Sequence, residues 1–215
     1  MRLYTYFRSS ASYRVRLALA VKGVAYESVP VNLRGRGGEQ RTHAYLERNP
    51  QGLVPALEAG AAVLSQSLAI IEYLEETRPA PPLLPPGALE RAQVRSLALH
   101  IGCDIHPLNN LRVLEYLRGP LGQPDTAVKD WYAHWIAVGL EALEARARRH
   151  STDGRFLFGD RLTLADLCLV PQMYNAVRYH CDLAPYPTLV GIDRHLTSLA
   201  PFQAARPEVQ PDFVP

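Results

Sequence analysis

Residues 6–16 read Tyr-Phe-Arg-Ser-Ser-Ala-Ser-Tyr-Arg-Val-Arg and lie between a short apolar run and a stretch with helical spacing. Three hydroxyls (Ser9, Ser10, Ser12) and three guanidiniums (Arg8, Arg14, Arg16) fall within nine residues. The aromatic-rich residues 3–7 predict a strand. From Ser12 the apolar residues Val15, Ala18 and Leu19 share one helical face, and Lys22-Gly23 supplies a stop. A helix that begins among hydroxyls and cations suits an anion, because its first N–H groups are unpaired and its macrodipole favours negative charge there. A strand that turns directly into such a helix opens an α/β unit.

Outward from this point, residues 26–32 predict a second strand, with Pro30 favouring a sheet edge. A loop rich in glycine and arginine covers 34–38, and a short helix or irregular turn covers 39–48. Asn49-Pro50-Gln51-Gly52 is turn chemistry. Residues 53–57 and 61–64 predict two strands forming a hairpin across 58–60. Gln66-Ser67 opens a helix over 68–76, with Leu68, Ile70, Ile71 and Leu74 on a broad apolar face. The order is β-α-β-α-β-β-α. Five prolines then crowd residues 77–87 (Pro79, Pro81, Pro82, Pro85, Pro86), a run that cannot continue a helix and stiffens a connection.

Beyond the prolines the pattern is helical. Val94, Leu97, Ala98, Ile101, Ile105 and Leu108 follow one long helix that Pro107 bends. A second long helix covers about 126–149. Thr163-Leu-Ala-Asp166 is a capping box with Asp in the usual Glu/Gln position, a structural element that starts a third, buried helix. A final helix covers 188–199, and 206–215 looks irregular. The expected division is a small α/β domain at 1–80, a proline-rich linker at 81–87 and an all-helical domain at 88–215.

The chain has 215 residues, 47% hydrophobic and 20% charged, the composition of an ordinary globular protein long enough for a sizeable core. A net charge of +2 is too small to argue for a nucleic-acid partner. Of the 23 cationic residues only Lys22 and Lys129 are lysines. The three cysteines have no metal-type spacing, and Cys103 and Cys168 fall in apolar helical patterns, which points to a reducing compartment and no bound metal. No apolar run is long enough for a membrane span, and residues 1–7 lack a signal-peptide core. The expected location is the cytoplasm.

Four stretches together, residues 9–16 (Ser-Ser-Ala-Ser-Tyr-Arg-Val-Arg), Val54-Pro55, residues 66–76 from Gln-Ser to Glu-Glu, and residues 163–171, resemble the zeta class of glutathione transferases. The resemblance runs from Leu3 to Asp212. It implies a thioredoxin-like N-terminal domain followed by a helical-bundle C-terminal domain, in agreement with the element order above. It also implies glutathione as cofactor and a small dicarboxylate as substrate, with a homodimer as the assembly. The implied reaction is cis–trans isomerisation of maleylacetoacetate to fumarylacetoacetate by reversible thiolate addition to the double bond. Maleylpyruvate isomerisation and general glutathione transfer are the alternatives.

The resemblance also implies roles for single residues. Ser9 is the first choice to hydrogen-bond the glutathione sulfur, with Ser10 beside it, although a serine here also suits a plain helix cap; Ser12, nearest the periodic run, is the expected cap. Where the family often has cysteine this chain has Ala11, and the chemistry needs only the glutathione sulfur. Ala11, Ser12, Tyr13 and Arg14 complete the first stretch of the glutathione site. Val54, before a cis proline, pairs through its backbone with the cysteinyl part, Gln66 and Ser67 hold the γ-glutamyl carboxylate, and Gln40 lies near the glycyl end. His106, Asn110, Leu111 and Arg112 belong to the same site, His106 standing where relatives often have glutamine. Arg8 and Arg178 are the expected anchors for substrate carboxylates, since arginine offers a planar bidentate fork. Arg14 and Arg16 stay open between the glutathione site and a structural face.

Overall fold

A computed structural model of the chain describes residues 1–214, with every side chain except that of Arg36. Pro215, within the segment read as irregular, lies outside the described residues. The chain divides into two units, Met1–Pro82 together with Leu199–Pro215, and Leu83–Ser198. Residues 199–215, expected with the helices, therefore cluster with the N-terminal unit.

In the first unit, β1 (Arg2–Thr5), α1 (Ser10–Val21), β2 (Glu27–Pro30), α2 (His43–Leu46), β3 (Ala56–Ala59), β4 (Ala62–Ser65) and α3 (Ser67–Thr77) follow the expected order. The sheet order is β2-β1-β3-β4, with β1 parallel to β2 and antiparallel to β3. Pro30 ends β2 on the sheet edge, where its missing N–H breaks no internal ladder. Pro55 likewise has no N–H to give, and β3 starts at Ala56, three residues later than spacing predicts. The β3–β4 turn consequently moves to Gly60-Ala61, where Gly60 adopts the left-handed φ of 64° that suits a residue without Cβ. Tyr4 and Ala56 pair across β1 and β3 and share one face with Tyr45, Val31 and Val54. Leu3 and Leu57, their neighbours along the strands, point to the other face and are fully buried.

Two of the buried cations, Lys22 and Arg16, organise this unit. Lys22 ends α1 and donates from Nζ to Glu75 at 2.7 Å and to the carbonyls of Arg78 and Pro81 at 2.7 and 3.0 Å. One lysine thus joins the end of α1 to the first part of the proline-rich run. Arg16, with no exposed surface, donates to Thr5 Oγ1 at 3.1 Å, to the carbonyls of Tyr6 and Phe7 at 3.3 and 3.0 Å, and to Ala205 O at 3.1 Å. It ties the β1–α1 turn to α9 (Ala200–Ala205), which packs on α1. Arg16 is therefore a structural residue.

In the second unit the expected long helix is interrupted. α4 (Ala88–Leu99) passes into a wider π-type turn at His100–Ile105 and a 3-10 turn at His106–Asn109. A separate helix, α5 (Leu111–Arg118), then starts from Asn110, whose side chain accepts the Arg112 N–H. Pro107 removes one helical donor, and Asn110 offers a cap that restarts the ladder; periodicity registers neither event. α6 (Asp125–His150), α7 (Leu164–Arg178) and α8 (Pro187–Thr197) complete the unit. Glu144 on α6 accepts the N–H groups of Thr188 and Leu189 and so caps α8 from another helix. At the start of α7 the buried Asp166 accepts from Leu157 N–H and Thr163 N–H, each at 2.7 Å, and from Thr163 Oγ1 at 3.0 Å. Among the described residues no helix is long and apolar enough to cross a membrane.

Two stability outcomes are expected. Arg16→Met leaves its carbonyl acceptors without a donor and lowers the unfolding free energy by about 3 kcal/mol or more, read from denaturant midpoints. Burial raises the Asp166 carboxyl from 3.8 to about 6, so the folded state binds its proton more tightly than the unfolded chain does. The stability gap between wild type and Asp166→Ala should therefore be widest below about pH 4 and narrow as pH rises through about 6.

Candidate functional site

Thr5 ends β1 and Ser10 begins α1, so residues 6–9 form the whole connection. Ser9 closes it. Its N–H donates to Tyr6 O at 3.0 Å, its backbone is extended (φ −70°, ψ 116°), and its Oγ accepts the Ser12 N–H at 3.2 Å. Ser9, not Ser12, is therefore the helix cap. Ser12 lies a turn inside, fully buried, with an Oγ that has no hydrogen-bond partner among the described residues. Spacing misplaced the cap because the aliphatic run of α1 begins only at Val15, more than a turn past the helix start. As Ser9 Oγ accepts through a lone pair, its own O–H proton stays available to donate. Capping and donation to a ligand coexist in one side chain. Ser10, Tyr13 and Arg14 are buried around this turn and Ala11 is half-buried.

Beside the cap, Arg8 lines an open cavity of about 310 Å³ together with Tyr6, Phe7, Asn32, Arg34 and Asp212. The Arg8 guanidinium lies 4.9 Å from the Phe7 ring centroid and donates to Val214 O at 3.0 Å. Asn32 Oδ1 accepts from the N–H groups of Arg34 and Gly35 at 3.0 and 2.9 Å, shaping the loop that carries the second guanidinium. Asn32, Arg34 and Asp212 are absent from the sequence-based candidates. A loop residue and a tail residue meet Arg8 here with no periodic pattern or motif spacing to announce them.

Two further elements of the first unit carry predicted residues. Val54 precedes Pro55 through a cis peptide bond and is buried with Tyr4, Val31, Tyr45 and Ala56. Tyr45 O–H and Asn49 Nδ2 both donate to Leu53 O, at 2.6 and 2.7 Å, and steady the approach to this turn. Burial pushes the Tyr45 phenol up to about 12, so it stays a neutral donor. Gln66 precedes α3 in the left-handed region (φ 67°) and donates from Nε2 to Gln51 Oε1 at 2.9 Å. Ser67 is the first residue of α3, buried, and accepts from Arg14 Nη1 at 3.4 Å, which links the two helix starts. Gln40 is buried and donates from Nε2 to Leu33 O at 3.3 Å, while its Oε1 has no hydrogen-bond partner among the described residues.

The remaining candidates belong to the second unit. His106 starts the 3-10 turn, Asn110 caps α5, Leu111 opens that helix and Arg112 is exposed on it. Arg178 ends α7 with its guanidinium 4.7 Å from the Tyr179 ring centroid, and Tyr179 stacks on Tyr132 at 3.6 Å. Among the described residues no group of His, Cys, Asp and Glu could hold a metal ion.

Chemically, the first unit combines two helix N-termini, a hydroxyl with a spare proton, a buried amide oxygen in want of a donor and two guanidiniums on one cavity. Such a set suits a ligand with several carboxylates, amide groups and an anionic sulfur.

Comparison with known proteins places these features in one lineage. Residues 3–82 match the family described as glutathione S-transferase, N-terminal domain. A "Probable maleylacetoacetate isomerase" of Vibrio cholerae is 51% identical, over 98% of this chain and 97% of its own. The holo structure of a maleylpyruvate isomerase, called a bacterial glutathione S-transferase of the zeta class, superposes with a TM-score of 0.96. It is 48% identical over 100% of both chains. The maleylacetoacetate isomerase of Anaeromyxobacter dehalogenans superposes with a TM-score of 0.87 at 47% identity, over 100% of this chain and 97% of its own. Its active site holds dicarboxyethyl glutathione and citrate. Near-complete coverage and about half-identity across both units extend the kinship well past the N-terminal match: the chain belongs to the zeta class of glutathione S-transferases.

Proposed function

We propose that this protein isomerises maleylacetoacetate to fumarylacetoacetate with glutathione as cofactor. The observation that carries the reading is Ser9. It caps α1 through a lone pair, keeps its proton to donate, and directly follows Arg8, which lines the cavity. A thiol of ordinary pKa near ~8.5 is mostly protonated at neutral pH, and each unit by which a site lowers it is worth roughly 1.4 kcal/mol. Bound glutathione supplies the thiolate that adds to the cis double bond and leaves after rotation.

The chain's own residues do the rest. Ser9 donates its proton toward the sulfur, assisted by the N-terminal field of α1, and Ser10 sits beside it. Ser67, at the start of α3, and Gln66 receive the γ-glutamyl carboxylate, while the Val54 backbone pairs with the cysteinyl part. The Gln40 Oε1, buried and without a donor among the described residues, fits an amide N–H near the glycyl end. Arg8 holds a substrate carboxylate and faces the charge that develops during addition. Arg178, His106, Asn110, Leu111 and Arg112 enter this reading through the resemblance alone. The dicarboxyethyl glutathione and citrate in the relative's active site support a glutathione site that also accepts carboxylates.

Maleylpyruvate is the second reading, favoured by the 0.96 TM-score to a maleylpyruvate isomerase. Both substrates present the same cis-enedioate end to Arg8. The family reading further carries a homodimer and a cytoplasmic location, the latter in keeping with three free cysteines.

Ser9→Ala should lower kcat/KM by about 10²-fold or more while stability falls by only about 1 kcal/mol, the worth of a cap. An unchanged rate would remove Ser9 as the activating group. Steady-state kinetics on the two substrates side by side should favour maleylacetoacetate; a strong preference for maleylpyruvate would reverse the assignment. Sedimentation at micromolar concentration should give twice the 23.9 kDa chain mass, and a monomer would refute the dimer.

A further inference from the structure

Arg8 is held from a part of the chain about two hundred residues away. Phe7 N–H donates to Asp212 Oδ2 at 2.9 Å, and Arg8 Nη2 donates to Val214 O at 3.0 Å. Between them, the Phe213 ring meets the Phe7 ring edge-on at 5.5 Å. Asp212, Val214, Phe7 and Arg8 all line the same cavity. On the opposite side of the turn, Arg16 takes the carbonyls of Tyr6 and Phe7. Both peptide groups flanking Phe7 are thus pinned: Arg16 holds the carbonyl of each, and Asp212 also takes the N–H of the first, which leaves Arg8 little backbone freedom. The segment is itself anchored: Gln210 Nε2 donates to Arg206 O at 2.9 Å, and α9 is tied through Ala205 O to Arg16.

We infer that Asp212 is a positioning residue for substrate binding: it fixes the Phe7–Arg8 turn so that the Arg8 guanidinium stays aimed into the cavity. This rests on the proposed role of Arg8 as a carboxylate anchor. The geometry separates the role from simple packing. The acceptor atom is Oδ2, a position an asparagine oxygen can also occupy, so the turn depends on an acceptor at residue 212 and not on its charge. The other oxygen, Oδ1, is buried without a hydrogen-bond partner among the described residues, so a neutral amide there breaks no observed bond.

The test compares wild type, Arg8→Met, Asp212→Ala and Asp212→Asn for kcat and KM with maleylacetoacetate, and for glutathione affinity by calorimetry. Asp212→Ala should raise KM about tenfold, with kcat and glutathione affinity changed by less than about threefold. Asp212→Asn should recover most of that loss. Two results would remove the reading of the site, and this inference with it: a wild type inactive on maleylacetoacetate, or an Arg8→Met enzyme with unaltered KM. Both come from proteins with Asp212 intact, so they are distinct from failure of the inference itself. With those controls as expected, three results overturn it. They are an unchanged KM in Asp212→Ala, a parallel loss of glutathione affinity, or an Asp212→Asn enzyme as impaired as Asp212→Ala.

Discussion

Arg16 carries a full charge with no exposed surface, and it donates to four neutral oxygens, a threonine hydroxyl and three backbone carbonyls. A buried guanidinium is tolerable only when its donors find such acceptors, because the desolvation of an unpaired charge would exceed most single stabilising contributions. The same bonds make the turn. Residues 6–9 have no regular ladder of their own, and two of their carbonyls find a donor in Arg16. The β1–α1 connection therefore depends on a residue six positions into the following helix. So does the placement of α9, whose final carbonyl takes the guanidinium Nε.

The electrostatic design around that turn has a simple division. Of the buried cations, Arg16 and Lys22 bind backbone carbonyls and serve the fold, while Arg14 reaches Ser67 at the start of α3. Arg8 and Arg34 line an open cavity, the setting in which a guanidinium can meet an external anion. Arginine suits both tasks because its fork can satisfy several acceptors at once and its charge does not titrate away in the interior. Ser9 shows the same economy at a smaller scale, since one hydroxyl accepts from the helix and retains a proton for a ligand.

Helix termini recur as the places where chemistry and stability meet. α1 starts at Ser9 and α3 at Gln66-Ser67, and the first-turn N–H groups of both lie beside residues proposed for the cofactor. α7 and α8 satisfy the same kind of groups internally, through Asp166 and Glu144. The difference is burial and fold context. Where a protein carboxylate already fills the N-terminus the helix is structural, and where none does a ligand carboxylate can take its place.

Much of this molecule was legible in the residues alone. Hydrophobic period and turn chemistry gave the order of strands and helices in the first unit, the capping box of α7 and the limits of α6, because these are local consequences of spacing and backbone preference. The stretches proposed for the glutathione site stand out as local motifs for the same reason. Differences arose where a proline, a capping side chain or a distant group competed with the periodic signal. Ser12 looked like the cap until the short turn held by Arg16 put Ser9 there. The helix through Pro107 looked continuous although Asn110 could restart it. Residues 206–215 read as irregular, and nothing in their spacing announces that Asp212 takes the N–H of Phe7. A sequence determines local periodicity and the available donors and acceptors. Only the tertiary structure decides which buried donor meets which acceptor, because that pairing depends on where the folded chain brings remote segments together, and separation along the chain carries no trace of it.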